Sequence, residues 1–167
     1  MGKKVLIVSP IAPQTGLFGG ACRQPSVGTL TLGATLKNAG HDVTVLDECV
    51  MSRPVAEGDL DADWLCLSLI SSSAARGYQI AQLFRKRSPK GRIAAGGVHP
   101  TFMPDEALQY ADVVCRGEAD TMIAELLGSG ASGIVEGTPL ADMDSLPLAD
   151  YSLLAHADCI PFAGIVS

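Results

Sequence analysis

The segment "GRIAAGGVHPTFMPDEAL", residues 91–108, decides the fold class. A short apolar run leads into the pair Gly96 and Gly97, and a helix-forming segment then begins at Pro104. Proline fits the first turn of a helix, and the two acidic residues after it are favoured there by the helix dipole. A strand that passes through glycines into a helix is typical of α/β proteins with a parallel sheet.

The same alternation of apolar runs and helical segments covers most of the chain. We expect five strands, over residues 4–8, 41–47, 63–69, 91–97 and 112–117. The helices are expected over residues 26–40, 71–87, 104–111 and 118–130. This pattern predicts an α/β, Rossmann-like or flavodoxin-like, doubly wound fold: a mostly parallel five-stranded sheet of order 2-1-3-4-5 with helices on both faces. Residues 132–137 are expected to form a further short strand or a hairpin arm.

Composition and charge exclude several classes of protein. The net charge of −6 argues against nucleic acid as the main partner, because phosphate contacts need a basic surface. No apolar run approaches the roughly 20 residues that span a bilayer, and Val5–Val8 is too short for a signal peptide, so we expect a cytoplasmic protein. The five cysteines contain no C-x-x-C pair, which argues against structural zinc and a disulfide framework.

The chain changes character near residue 138. Residues 1–137 carry the strand and helix pattern of one domain, whereas residues 138–167 contain several prolines and acidic residues without a sustained period. We expect residues 138–167 to be a linker or docking segment that leads to a further domain outside this sequence.

Ligands of open parallel sheets bind beyond the carboxyl ends of the strands, near the switch in strand order. The loops at that edge are expected at residues 9–25, 68–73, 96–104 and 115–119. The first loop has neither a G-x-G-x-x-G nor a P-loop motif, which argues against a phosphate cradle of those types. No G-x-S-x-G elbow exposes a serine, so nucleophilic catalysis is not expected.

Three features of these loops leave alternatives open. Ser71, Ser72 and Ser73 can cap a helix or bind a phosphate or ribose. The glycine pair 96–97 can form a turn or let a large flat ligand approach the backbone. His99 can act as an acid, base or ligand, but it has no partner at metal-ligand spacing and fits a hydrogen-bonded structural ring.

These motifs occur together, and in the same order, in a known family. The segments are "KVLIVSP", "PSVGTLTLGATLKNAGHDVTVLD", "ADWLCLSLISSS", "AAGGVHPTFMPDEAL", "ADVVCRGEAD" and "DSLPLADYSLL". With them the chain resembles the N-terminal cobalamin-binding domain of class B radical SAM enzymes, a group that includes the anaerobic Mg-protoporphyrin monomethyl ester cyclase type. The resemblance covers nearly the whole length of the sequence.

The resemblance implies cobalamin at the carboxyl edge of the sheet, with its dimethylbenzimidazole tail beside the sheet. It also implies which residues bind this cofactor: Ser68, Leu69, Ile70, Ser71, Ser72, Ser73, Gly96, Gly97, Val98, His99, Thr101, Gly117 and Glu118. The first loop lacks the D-x-H-x-x-G motif whose histidine ligates cobalt in other cobalamin domains, so no histidine ligand from that position and no metal ligand is expected.

The same resemblance implies a larger parent enzyme. A parent radical SAM methyltransferase or cyclase would also use S-adenosylmethionine and a [4Fe-4S] cluster, but the C-x-x-x-C-x-x-C motif that holds the cluster is absent here. We therefore expect this chain to be non-catalytic alone and to partner a C-terminal radical SAM domain. Two alternatives stay open: a docking scaffold of the same fold that binds no cobalamin, and a flavodoxin-like flavin-binding module.

Overall fold

The computed structural model describes residues 2–11, 24–51 and 53–156. Its centre is one sheet in which every strand pair is parallel. The strands are β1 (Lys4–Ser9), β2 (Asp42–Asp47), β3 (Trp64–Ser68), β4 (Arg92–Gly96), β5 (Val113–Arg116) and β6 (Gly133–Glu136). Their spatial order is β2-β1-β3-β4-β5-β6.

The predicted α/β fold and the order 2-1-3-4-5 are confirmed, but the sheet has six strands where five were expected. The additional strand β6 pairs parallel to β5, with Val113 opposite Gly133, so it is not a hairpin arm. The sequence left a short strand and a hairpin arm open here, because none of the residues of β6 is fully buried. An edge strand of this kind lacks the continuous apolar run that marks a central strand.

Five helices accompany the sheet in the described residues: α1 (Val27–Asn38), α2 (Ala74–Arg87), α3 (Val98–Phe102), α4 (Pro104–Leu108) and α5 (Ile123–Ser129). Ser26 caps α1 as expected, because its side chain accepts a hydrogen bond from Thr29 N. Residues 71–73 form a tighter 3₁₀ turn before α2. The short helix α3 was not predicted, because the sequence there reads as a proline-stiffened turn.

The two faces of the sheet carry separate cores. On one face, which we call the α2 face, α2 and α4 pack against large strand side chains such as Leu65 and Leu67. On the other, the α1/α5 face, α1 and α5 pack against Ile7, Cys66 and Cys115. Because successive residues of a strand point to opposite faces, β3 contributes leucines to the first core and a cysteine to the second.

Residues 150–155 pack back onto this same domain. Leu153 is buried against α1, where its side chain fills the space beside Gly33. Leu154 forms an isolated parallel bridge with Val45 of β2, and Lys37 binds the Asp150 carboxylate at 2.6 Å. Docking of residues 138–167 to another domain stays a prediction. No helix in the described part of the chain is both long and apolar enough to cross a membrane.

Candidate functional site

A cavity of about 390 Å³ opens at the carboxyl edge of the sheet, on the α1/α5 face. Strands β1, β3, β4 and β5 form its floor, and the N-terminal parts of α1 and α5 form two walls. The loops after β4 and β5 form the rim. This position, beyond the strand ends and near the switch in strand order, is where open parallel sheets bind ligands.

The floor of the cavity is built from small or apolar side chains in two rows. Ile7, Cys66 and Ala94 lie side by side in the strand register and form the deeper row. Ser68 and Gly96 are paired two residues further along and form the row nearer the mouth. Two residues of a strand separate the rows by roughly 6–7 Å. The lining is therefore apolar at depth and more polar at its mouth.

The two glycines after β4 have different structural roles. A Cβ atom at Gly96 would lie 3.7 Å from the Cβ of Cys115, an ordinary contact on the cavity side. A Cβ atom at Gly97 would lie 2.7 Å from the carbonyl oxygen of Leu69, and the φ of Gly97 is +100°. Gly97 is thus required by its own backbone. Gly96 leaves space that the cavity uses.

The rim beyond β4 and β5 is cross-linked by hydrogen bonds. The Thr101 hydroxyl donates to Gly97 O at 2.9 Å and accepts from Gly117 N at 3.0 Å. The Glu118 carboxylate accepts from Leu140 N at 2.6 Å. Thr101 therefore joins the two loops, and Glu118 joins the rim to the segment after β6.

The α1 wall is held by a buried carboxylate at the end of β2. Asp47 accepts hydrogen bonds from Ser26 N at 2.7 Å and from Cys49 N at 2.9 Å. Burial raises the pKa of Asp47 above its usual value, against the lowering effect of these two bonds. Asp47 thereby fixes the start of α1, whose residues Gly28 and Thr29 line the cavity.

Two cysteines line the cavity as neutral thiols. Burial raises the pKa of Cys66 to about 12 and that of Cys115 to about 11. A thiol is a metal ligand or nucleophile only as the thiolate, so both side chains act here as small apolar groups. Within the described residues, no group of three or more histidine, cysteine, aspartate or glutamate side chains could hold a metal ion.

His99 lies outside the cavity, in a buried polar cluster on the α2 face. Its Nε2 lies 3.0 Å from the Tyr78 hydroxyl and 3.3 Å from a Glu106 carboxylate oxygen, and its Nδ1 lies 3.3 Å from Ser71 Oγ. Burial and the neighbouring Glu106 raise the pKa of Tyr78 above its usual value. These contacts tie the 3₁₀ turn and the α4 segment to α2, so they support the structural interpretation of His99.

The structure brings about half of the sequence-predicted residues to the cavity. Those that line it are Ser68, Gly96, Gly97, Val98, Thr101, Gly117 and Glu118. The others lie outside the lining: Leu69, Ile70, Ser71, Ser72, Ser73 and His99. Leu69 packs in the α2-face core and Ser73 is buried, whereas Ile70 is exposed. Most of the first loop, predicted at residues 9–25, lies outside the described residues.

Sequence reasoning missed part of the lining. Cys66 and Cys115 read as ordinary buried thiols of strands, and nothing in the sequence marked Ala94, Thr29 or Ile123. The available signal was the run of small residues on one face of β4, where Ala94 and Gly96 replace the bulky side chains expected in a buried strand.

The family model "B12 binding domain" matches residues 22–127, more than half of the chain. The chain belongs to the B12 binding domain family. This match confirms the resemblance that the ordered motifs indicated, and it supports cobalamin as the ligand class of the domain.

Three curated relatives agree with this assignment. Bacteriochlorophyllide d C-8(2)-methyltransferase of Chlorobaculum tepidum is 34% identical over 136 residues, 79% of this chain and 29% of that enzyme. Anaerobic magnesium-protoporphyrin IX monomethyl ester cyclase of Synechocystis is 29% identical over 139 residues, 75% of this chain and 27% of that enzyme. Cobalamin-dependent radical SAM methyltransferase TokK of Streptomyces tokunonensis is 30% identical over 83 residues, 48% of this chain and 12% of that enzyme. The chain thus spans less than a third of each.

Proposed function

We propose that this B12 binding domain holds cobalamin with its nucleotide tail in the cavity on the α1/α5 face. The observation that carries the proposal is the open, apolar cavity at the carboxyl edge of the sheet. Its lining combines Gly96 with the apolar floor around Ala94, and the loops after β4 and β5 stand at its mouth. A planar heteroaromatic base needs an apolar slot, and the attached ribose and phosphate need a polar opening.

The residues present fit part of the cofactor. A volume of about 390 Å³ lies at the small end of ligand pockets, which measure about 300–1,000 Å³. The cavity therefore suits the tail, whereas the much larger corrin ring would lie outside it. Val98 is 57% exposed and Leu69 packs on the opposite face, so neither side chain fills the cavity. A filled cavity would have favoured the docking-scaffold alternative.

The parent protein is proposed to be a radical SAM methyltransferase or cyclase. Bound cobalamin supplies a cobalt centre that can carry a methyl group. Cys66, Ala94, Gly96 and Gly117 would contact the tail, and Asp47 would hold the start of α1 beside it. S-adenosylmethionine and a [4Fe-4S] cluster would belong to a partner radical SAM domain. We propose that the predicted residues at the cavity mouth contact the cofactor and that Leu69, Ser73 and His99 position them.

The test is binding of hydroxocobalamin by the complete 167-residue chain, measured by calorimetric titration and by co-elution of the coloured cofactor in gel filtration. Gly96→Leu fills the mouth of the cavity, and we expect it to weaken binding at least tenfold. Gly128→Leu is the matched control, because a Cβ atom at Gly128 meets nothing within 4 Å and this residue lies outside the cavity. Equal affinity of Gly96→Leu and Gly128→Leu for hydroxocobalamin would contradict the proposed position of the nucleotide tail in the cavity.

A further inference from the structure

The deep end of the cavity carries little hydrogen-bonding capacity, and this bears on which corrinoid the domain prefers. Natural corrinoids differ in the base of the nucleotide tail, which can be an apolar benzimidazole or a purine such as adenine. The floor row of Ile7, Cys66 and Ala94 offers alkyl groups and one thiol. A thiol is a weak hydrogen-bond donor and acceptor.

Six polar side chains of the described residues belong to the lining. Ser26, Thr29, Thr101 and Glu118 are bonded within the protein, whereas Ser68 and Asp120 lie near the mouth, at the end of β3 and in the loop after β5. Thr29 donates its hydroxyl proton to Ser26 O at 2.8 Å, and Thr101 bonds Gly97 O and Gly117 N. Glu118 accepts from Leu140 N. Ser68 lies in the row nearer the mouth, two residues beyond Cys66. The deeper row of the floor therefore offers the polar edge of a purine a single thiol as its hydrogen-bonding side chain.

We propose that the row formed by Ile7, Cys66 and Ala94 makes this domain select corrinoids with a benzimidazole-type base over corrinoids with adenine. This selectivity rests on the proposed placement of the tail in the cavity. Adenine carries an exocyclic amine and ring nitrogens that lose their water on entry and gain no partner, which costs binding free energy. Dimethylbenzimidazole presents methyl groups to the same surface, where apolar contact is favourable.

The test is a comparison of dissociation constants for three corrinoids bound to the complete chain. These are cobalamin, the analogue in which adenine replaces dimethylbenzimidazole, and cobinamide, which has no nucleotide tail. We expect cobalamin to bind at least tenfold more tightly than either of the others. Equal affinity for cobalamin and the adenine analogue would overturn the selectivity. Absence of binding by all three would instead overturn the proposed function.

Serine substitutions test the role of the floor directly. Cys66→Ser places a hydroxyl in the deeper row with little change in volume, and we expect the preference for cobalamin over the adenine analogue to fall at least threefold. Cys115→Ser provides a second variant nearer the mouth if Cys66→Ser does not fold. Cys49→Ser is the matched control, because Cys49 is half-buried and lies outside the cavity. An unchanged preference in every folded cavity variant would show that the apolar floor does not set selectivity.

Discussion

The two faces of the sheet are built from alternate residues of the same strands, yet only one of them is filled. Along β3, Leu65 and Leu67 belong to the α2-face core, whereas Cys66 faces α1 and α5. Phe84 and Ile80 of α2 are fully buried against the leucines. On the other face, Ala94 and Gly96 leave a cavity. The cavity therefore follows from the small side chains that β3 and β4 place on this face near their carboxyl ends.

The α2 face also holds a cluster of bonded polar groups. The α2 face carries the ion pair of Glu48, which is buried, and Arg76, whose side chain is 23% exposed, with their closest atoms 2.6 Å apart. Glu48 also accepts hydrogen bonds from the backbone nitrogens of Ile11 and Val55. These bonds fix the segments around the ends of β1 and β2. The α2 face thus combines a filled apolar core with a carboxylate that is bonded on several sides.

The largest expected effect on stability comes from breaking the ion pair of Glu48 and Arg76. Arg76→Ala leaves the Glu48 carboxylate buried with its cationic partner removed, and we expect the free energy of unfolding to fall by about 3–5 kcal/mol. Urea denaturation measures it. Arg85→Ala on the same helix is the control, because the pair of Arg85 and Asp112 is partly exposed and should contribute under about 1 kcal/mol. Similar losses in both variants would contradict the assignment of the buried pair.

Adjacent residues of β3 compare the two faces directly. Leu65→Ala creates a new void in a filled core, and we expect it to lower the free energy of unfolding by about 2–5 kcal/mol. Cys66→Ala only enlarges an existing cavity, and we expect a loss of about 1 kcal/mol or less. Both values come from the same denaturation experiment. An equal loss in the free energy of unfolding for Cys66→Ala and Leu65→Ala would contradict the difference in packing between the two faces.

The two glycines after β4 are expected to separate stability from binding. Gly97→Ala places a Cβ atom against the Leu69 backbone at positive φ, and we expect it to lower the free energy of unfolding by about 1–2 kcal/mol. Gly96→Ala makes only ordinary contacts, so its stability should change by less than about 1 kcal/mol while cobalamin binds more weakly. Thermal unfolding and calorimetric titration measure the two effects. A loss of stability in Gly96→Ala equal to that in Gly97→Ala would contradict this separation.

The smallest effect is a difference in acid response between two aspartates. Arg53 bonds both carboxylate oxygens of Asp59 and lowers its pKa from 3.8 to about 2. The stability from Asp59 is therefore present above pH 3.8 and lost as the pH falls towards 2, by about 1 kcal/mol or less because Arg53 is partly exposed. Asp59→Asn should flatten this part of the acid denaturation curve.

Asp47 should show the opposite sign. Because its pKa is raised in the folded protein, folding favours its protonated form, and the destabilising effect of its burial is relieved as the pH falls. We expect Asp47→Asn to make the stability of the chain fall more steeply with acid. Denaturation at a series of pH values between 6 and 2 measures how the free energy of unfolding of each variant changes with pH relative to the unsubstituted chain. Changes of the same sign for Asp59→Asn and Asp47→Asn would contradict the pKa directions.

The strand order and the central strands followed from the sequence, because buried parallel strands give continuous apolar runs such as Val5–Val8. For residues 132–137, where β6 lies, the sequence left a short strand and a hairpin arm open, because these partly exposed residues give no such run.

At the cavity, the sequence identified Ser68 and the pair Gly96 and Gly97, whereas the predicted residues 71–73 lie outside the lining. The two thiols of the lining could not be identified, because Cys66 and Cys115 look the same in sequence whether a helix or a cavity lies opposite them. The placement of His99 in a hydrogen-bonded cluster matches the structural interpretation of the sequence.

Strand β2 lies at one edge of the sheet, where unpaired backbone groups invite another strand to add. Residues near 154 occupy part of this position, because Leu154 bridges Val45 and Ala155 N donates to Val45 O at 3.0 Å. The buried side chain of Leu153 anchors this segment beside Gly33. This segment therefore covers part of the unpaired edge of β2. Loss of the Leu153 anchor would favour self-association and fibril formation through β2.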